Sequence, residues 1–242
     1  MEAMLSNNKI ILPLDVDSAE KAVALVELLK DDVGVFKVGL ELVNAAGTGI
    51  FEKIKAAGAA RIFYDCKFHD IPNTVAGACR AAARMGVWLI NVHCCGGLAM
   101  MKAAKDAAVE EAAKLGIVPP KVIGVTLLTS ISGEMLNSEL RVPGSTADHV
   151  VHMAKLAKEA GLDGIVASPH EIELIRAACG PGFLIVTPGV RPAGADIGDQ
   201  QRVMTPKEAV DKGADYLVIG RPIIRAEDPK AAARAIAVEI GG

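Results

Sequence analysis

Apolar residues gather in short runs separated by longer stretches of helical spacing, and one junction recurs between them: a helical stretch, a glycine, then an apolar run. It appears at Gly34 before Val35-Phe36, at Gly58 before Ile62-Phe63-Tyr64, at Gly86 before Leu89-Ile90, and at Gly116 before Val122-Ile123. It returns at Gly161 before Ile165-Val166, at Gly180 before Phe183-Leu184-Ile185, and at Gly213 before Tyr216-Leu217-Val218. Glycine just past a helix end adopts the left-handed backbone that other residues resist. Helix starts are marked as regularly. Asp17-x-x-Glu20, Ser168-Pro169-His170-Glu171 and Thr205-Pro206-Lys207-Glu208 read as capping boxes, and Asp228-Pro229 opens a last helix. Adding the first run, Ile10 to Asp15, the pattern predicts eight strand–helix units. Strands that alternate with helices pair in parallel, and eight of them predict a (β/α)8 TIM barrel. An open doubly wound sheet is the alternative, disfavoured because no Gly-x-Gly-x-x-Gly turn follows the first strand. No linker or composition shift divides residues 1–242, which read as a single catalytic domain. Two connections are long for a compact barrel, Thr129 to Ser145 (with a short helix expected near Glu134–Leu140) and Pro188 to Thr205; such loops are usually functional lids.

Composition sharpens this picture. Hydrophobic residues make up 51% of the chain but aromatics only 3%, so the core must be built from Ala, Val, Leu and Ile, as suits parallel strands buried on both faces. Trp88, Met100 and Met101 are expected in that core. The net charge is −3 with both signs interspersed, which offers no basic surface to nucleic acid. Neither a signal peptide nor an apolar span of about 18 residues is present, so no membrane association is expected and the location should be cytoplasmic. Five cysteines form an odd set without a Cys-x-x-Cys pair, which suits reduced thiols rather than disulfides or zinc.

Active sites of such barrels form at the C-terminal ends of the strands, so the residues at those ends are the candidates. They are Asp15 on the first strand, Lys37 on the second, Asp65 and Lys67 on the third, Asn91 and His93 on the fourth and Thr129 on the fifth. Residues two apart share a strand face, so Asp65 and Lys67 point together, with Asp70 in the turn that follows. Acids pressed against a lysine hold it charged, poised to deliver a proton. A solvated surface cluster is the plain alternative, and the apolar residues flanking these charges argue against it. A second signal follows the last two strands, where barrels of this kind commonly bind phosphate. Gly189 and Gly220 permit close backbone approach, and Arg191, Arg221 and the Gln200 amide offer donors to phosphate oxygens. The expected ligand is a phosphorylated small molecule. His69, His93 and the Cys94-Cys95 pair read more simply as locally satisfied or packed residues.

The run Asp65-x-Lys67-x-x-Asp70-Ile71-Pro72-Asn73-Thr74 closely resembles the active-site signature of the orotidine 5'-phosphate decarboxylases. Leu14-Asp15, Phe36-Lys37-Val38-Gly39, Leu128-Thr129-Ser130, Val186-Thr187-Pro188-Gly189-Val190-Arg191, Gly198-Asp199-Gln200 and Val218-Ile219-Gly220-Arg221 resemble its other motifs, in family order and in the bacterial style. The resemblance implies decarboxylation of orotidine 5'-monophosphate (OMP) to uridine 5'-monophosphate (UMP) and carbon dioxide, the last step of pyrimidine nucleotide synthesis, without metal or organic cofactor. It further implies that Lys67 protonates C6, that Asp65 lies beside the substrate carboxylate, and that Lys37 and Asp15 hold the ribose. Thr129 would face the pyrimidine, while Arg191, Gln200 and Arg221 would take the phosphate, with Pro188 and Gly220 as further contacts. Asp70 and Thr74 would reach the neighbouring subunit's site, making a homodimer with shared sites. Metal-dependent relatives share Asp-x-Lys-x-x-Asp but carry an acid at the second-strand position, where this chain has Lys37. A non-catalytic phosphate-binding barrel would have no need for a lysine among acids.

Overall fold

Strands that must be buried on both faces find apolar neighbours on each by closing into a ring. A computed structural model describes residues 7–192 and 204–241. Within them, eight parallel strands form a closed barrel in chain order. They are β1 (Ile10–Pro13), β2 (Val35–Gly39), β3 (Ile62–Phe68), β4 (Leu89–His93), β5 (Lys121–Val125), β6 (Gly164–Val166), β7 (Leu184–Pro188) and β8 (Tyr216–Val218), with β8 paired back to β1. The (β/α)8 barrel expected from the junctions is the fold observed.

Alternate strand residues serve two separate cores. Ile10, Leu12, Phe36, Val38, Ile62, Ile90, Val122 and Ile165 face outward and pack against helix residues such as Ala22, Val26, Cys79 and Ala104. Ile11, Val35, Phe63, Leu89, Ile123 and Val186 form a second cluster inside the barrel. Small helix residues let the helices lie close to the strands, which is how so few aromatics suffice. At the N-terminal end Trp88 and Tyr216 meet edge to face, 5.1 Å between ring centroids. The Arg61 guanidinium lies 4.9 Å from the Trp88 ring centroid and donates to the Asn8 and Gly34 carbonyl oxygens, sealing that end. Trp88 is thus a half-buried plug, whereas Met100 and Met101 are fully buried as expected.

The same alternation that buries Val35, Phe63 and Leu89 brings Lys37, Asp65 and Asn91, two residues further on, to the inner face at the C-terminal end. Polar side chains therefore stand directly above an apolar layer.

Several local expectations change in the structure. Gly58, Gly86, Gly116, Gly161, Gly180 and Gly213 take positive φ past their helices, but Gly34 does not. A Cβ at Gly34 would lie 2.5 Å from the Asn8 backbone, so close approach of the N-terminal turn requires this glycine. The helix Ala19–Leu29 is capped by Ser18, whose hydroxyl accepts from the Lys21 amide at 3.3 Å, instead of by Asp17, which pairs with the Lys21 ammonium. Thr205 and Glu208 do form a reciprocal capping box. Ser168 caps a short 3-10 turn, Pro169–Glu171, that precedes the helix Ile172–Cys179. The long connection after β5 carries its short helix at Gly133–Ser138. Strand β5 ends at Val125, so Thr129 lies in the loop and not at the strand end. Among the described residues no helix is long and apolar enough to cross a membrane.

Candidate active site

Four charged side chains of alternating sign form one chain of contacts across three adjacent strands. Lys37 Nζ lies 3.1 Å from Asp15 Oδ1 and 3.1 Å from Asp65 Oδ2, and Lys67 Nζ lies 2.7 Å from Asp65 Oδ1. Lys37 and Asp65 are largely buried, whereas Lys67 and Asp15 open to solvent at the rim. A Cβ on Gly39 would stand 3.1 Å from Lys37 Nζ, so the missing side chain leaves room for the ammonium. Burial pushes the Asp65 carboxyl up, but Lys37, Lys67 and the Asn91 amide outweigh it and hold it below its ordinary value. Burial pushes Lys37 down, and the charges of Asp65 and Asp15 more than restore it, leaving it raised. The buried centre therefore keeps its charges because each is paired.

Lys67 reaches this position by an unusual backbone. The pairing of β3 with β4 shifts register between Tyr64 and Phe68, and Lys67 has φ of 50°, in the left-handed region. Simple alternation placed Asp65 and Lys67 together; in fact a bulge aims Lys67. A non-glycine residue in this region costs about 1–2 kcal/mol, and something must hold it there. The Lys67 amide donates to Asn91 Oδ1 at 2.7 Å, and Asn91 Nδ2 donates to Asp65 Oδ1 at 2.7 Å.

Among the described residues Lys67 pairs with Asp65 alone rather than with two acids. Asp70, past the end of β3, is exposed, and its Oδ1 accepts from the Ile71 amide at 2.6 Å. Thr74 is exposed in the first turn of the helix Pro72–Arg84. His93 is half-buried beside His69, 5.6 Å between rings; burial first, then His69 and Lys67, push it below its ordinary value and keep it neutral. The five cysteines are unpaired. Burial lifts the Cys79 and Cys94 thiols to about 12, as befits packing residues.

Further round the rim, Pro188 ends β7, Gly189 follows with φ of 81°, and Arg191 is buried with its Nη1 donating to the Val190 carbonyl. Arg221 opens the short helix Arg221–Ile224 after β8. Burial, then the charge of Arg221, push the Arg191 guanidinium below its ordinary value, though an arginine stays protonated. The segments after β7 and β8 thus each carry a guanidinium, a group suited to phosphate oxygens. A Cβ at Gly220 would lie 2.7 Å from Pro13 Cγ, so glycine lets the loop close over β1. Gln200 lies outside the described residues.

A cavity of about 410 Å³ opens among the loops after β5, β6 and β7, lined by Thr129, Ser132, Ser168, His170, Glu171 and Pro188, among others. This volume suits a small molecule. The charged array lies outside its lining. Strand ends alone do not show the β6 contribution, Ser168, His170 and Glu171, because in sequence that segment reads as a helix cap. Asn91 stood among the strand-end residues but received no role; its parity with Leu89 was the available signal. Among the described residues no three or more His, Cys, Asp or Glu side chains gather as metal ligands, and the place between Asp15 and Asp65 is taken by the Lys37 ammonium.

A closed parallel barrel with such an array on its C-terminal rim has the architecture of a barrel enzyme. Residues 8–236 match the model of the Orotidine 5'-phosphate decarboxylase / HUMPS family, and the chain belongs to that family. It is 56% identical over 240 residues to an orotidine 5'-phosphate decarboxylase of Moorella thermoacetica, covering 99% of this chain and 95% of that one. It is 50% identical over 236 residues to the Nostoc enzyme of the same name, covering 98% of both. The crystal structure of orotidine 5'-phosphate decarboxylase from Lactobacillus acidophilus superposes with a TM-score of 0.85 at 39% identity, over 96% of this chain and 99% of that one.

Proposed function

We propose that this protein decarboxylates OMP to UMP and carbon dioxide in pyrimidine nucleotide synthesis. The observation that carries the reading is the Asp15–Lys37–Asp65–Lys67 array, in a chain about half identical to enzymes of that name over nearly its full length. Loss of the C6 carboxyl leaves an electron pair in an orbital orthogonal to the ring π system, so the ring is no electron sink. The Lys67 ammonium stabilises that charge as it forms and then gives C6 its proton. Held by Asp65, it needs no reorganisation during the reaction. Asp65, kept ionised, repels the substrate carboxylate, and that repulsion is relieved as carbon dioxide departs. Lys37 and Asp15 hold the ribose hydroxyls, Thr129 and the neighbouring cavity take the pyrimidine side, and Arg191, Gln200 and Arg221 take the phosphate, with Pro188 and Gly220 against the ligand. Binding energy from the phosphate, remote from C6, serves to close the loops and exclude water.

The other branch of the family is a metal-dependent sugar-phosphate chemistry with an acid at the second strand. The Lys37 ammonium between Asp15 and Asp65 sets a positive charge where a cation would have to sit, and favours the decarboxylase. The working form is a cytoplasmic homodimer with shared sites, each chain forming a single catalytic barrel. Exposed Leu40 and Leu98, in the first turns of the helices Leu40–Ala46 and Gly97–Leu115, and Ile71, just before the helix Pro72–Arg84 and beside an exposed Asp70, support that assembly. The direct test mixes purified protein with OMP in excess chelator and follows the orotate absorbance. The absorbance should fall to that of UMP; an unchanged spectrum refutes the activity.

Arg221 gives a separate expectation. Removing a charge-assisted phosphate contact costs about 1.5–3 kcal/mol, so Arg221→Ala should lower kcat/KM for OMP roughly 10- to 150-fold. Turnover of the nucleoside orotidine, which has no phosphate, should barely change. Steady-state kinetics on both substrates decide this: equal losses would give Arg221 a structural role.

A further inference from the structure

Asn91 is 0% exposed, yet its side chain faces the charged array and not the apolar core. A carboxylate only accepts and a backbone N–H only donates, so the amide has one orientation: Nδ2 to Asp65 and Oδ1 to the Lys67 amide. The Cys66 thiol also approaches, with Sγ 3.6 Å from the Asn91 main-chain carbonyl oxygen and 4.0 Å from Oδ1. One side chain on β4 thus grips two residues on the neighbouring strand, at the point where its register slips and Lys67 turns left-handed.

We infer that Asn91 is the positioning residue of this site, setting the Lys67 backbone and the Asp65 carboxylate in the relative geometry that proton delivery to C6 requires. The inference rests on the decarboxylase reading above. Local chemistry supports it from three sides. Lys67 has no glycine's freedom, so its positive φ must be held from outside, and the 2.7 Å bond from its amide does so. Asp65 uses both oxygens, Oδ2 toward Lys37 and Oδ1 toward Lys67 and Asn91, so the amide fixes the carboxylate plane without adding charge. No similar side chain can substitute. An ionised aspartate cannot donate to Asp65, a glutamine is one methylene too long for a fully buried site, and an alanine leaves both partners unsatisfied. Asn91 need not touch the reacting atoms; it acts through Lys67 and Asp65.

The test uses the purified full chain, with wild type assayed alongside. Asn91→Ala should lower kcat about 100-fold, the expected effect of a misplacement near 1 Å, while UMP still binds within about threefold of wild type. Asn91→Asp keeps the shape and the acceptor for the Lys67 amide, but sets a second carboxylate against Asp65. The groups facing it are Asp65, Lys67 and Cys66 on β3, Lys37 on β2 and His93 on its own strand. Two adjacent carboxylates share a proton, so this variant should be most active at low pH and lose activity as that proton leaves, unlike wild type. A merely structural asparagine would lower the melting temperature and leave kcat and pH profile unchanged, and that result overturns the inference. A crystal structure of Asn91→Ala supplies a readout independent of turnover. Lys67 should leave the left-handed region or its 2.7 Å pairing with Asp65, and an unmoved Lys67 also overturns the inference. Wild type inactive on OMP would refute the decarboxylase reading, while the crystal structure would still decide what Asn91 holds.

Discussion

Replacing Lys67 with alanine should lower kcat for OMP by at least about 10³-fold, roughly 4 kcal/mol of barrier, while UMP binding stays measurable. The size follows from what the ammonium is asked to do. It is the charge that meets the developing carbanion, and it also carries the proton that quenches it, so one substitution removes an electrostatic and an acid–base contribution together. Both act in the transition state, and loss of an interaction made only there lowers kcat instead of simply raising KM. The fold should survive. Asp65 keeps Lys37 at 3.1 Å and Asn91 at 2.7 Å, so the buried carboxylate is not orphaned. Stopped-flow or steady-state turnover, with UMP binding measured by calorimetry, checks both halves. A variant retaining more than about a tenth of wild-type kcat, a barrier change below about 1.4 kcal/mol, would remove Lys67 from the proton-donor role.

Much of this arrangement is legible in the sequence, and the reason is periodicity. Glycine past successive helices is a local signal that sets the number of strand–helix units, and the strand ends then single out Lys37 and Asp65; that they stand above Val35 and Phe63 on the inner face is what the structure adds. What stayed hidden depends on contacts between residues distant in sequence. The bulge at Lys67 is held by an asparagine 24 positions away, and no local pattern announces it. Leu127 and Leu128 prolong the apolar run in the sequence, so Thr129 reads as a strand end. Pairing stops at Val125, and those leucines line the cavity instead. Gly34 looked like its fellow glycines, yet the Asn8 backbone alone explains it. Asp17 and Ser18 are both good caps, and only the path of the chain chose between them. The lining supplied by Ser168, His170 and Glu171 was masked because the same residues make a good helix start.

Two nearly inactive chains should restore activity to each other if each active site is shared across a dimer. Within one chain Asp70 makes no ion pair with Lys67; its carboxylate is exposed on the turn after β3 and bonded to the Ile71 amide. Ile71 beside it is 68% exposed and Leu40 57%, apolar surface that a partner would cover. In the dimer we propose, Asp70 and Thr74 of each chain complete the other's site, and Asp70 stands against Lys67 across the interface. Asp70→Ala should then be as crippling as Lys67→Ala, although the two chains fail for different reasons. A Lys67→Ala chain retains a good Asp70, and an Asp70→Ala chain retains a good Lys67. In a mixed dimer one site takes Lys67 from the second chain and Asp70 from the first and is wild type, while the other site is doubly defective. Unfolding the two variants together and refolding them pairs chains at random, so about half of the dimers are mixed and about a quarter of all sites are intact. The refolded mixture should therefore recover about a quarter of wild-type activity, far above either variant refolded alone. Differently tagged chains allow the mixed dimers to be isolated and counted. Confirmed mixed dimers that stay inactive would show that Asp70 serves its own chain's site, and the shared-site assembly would fail.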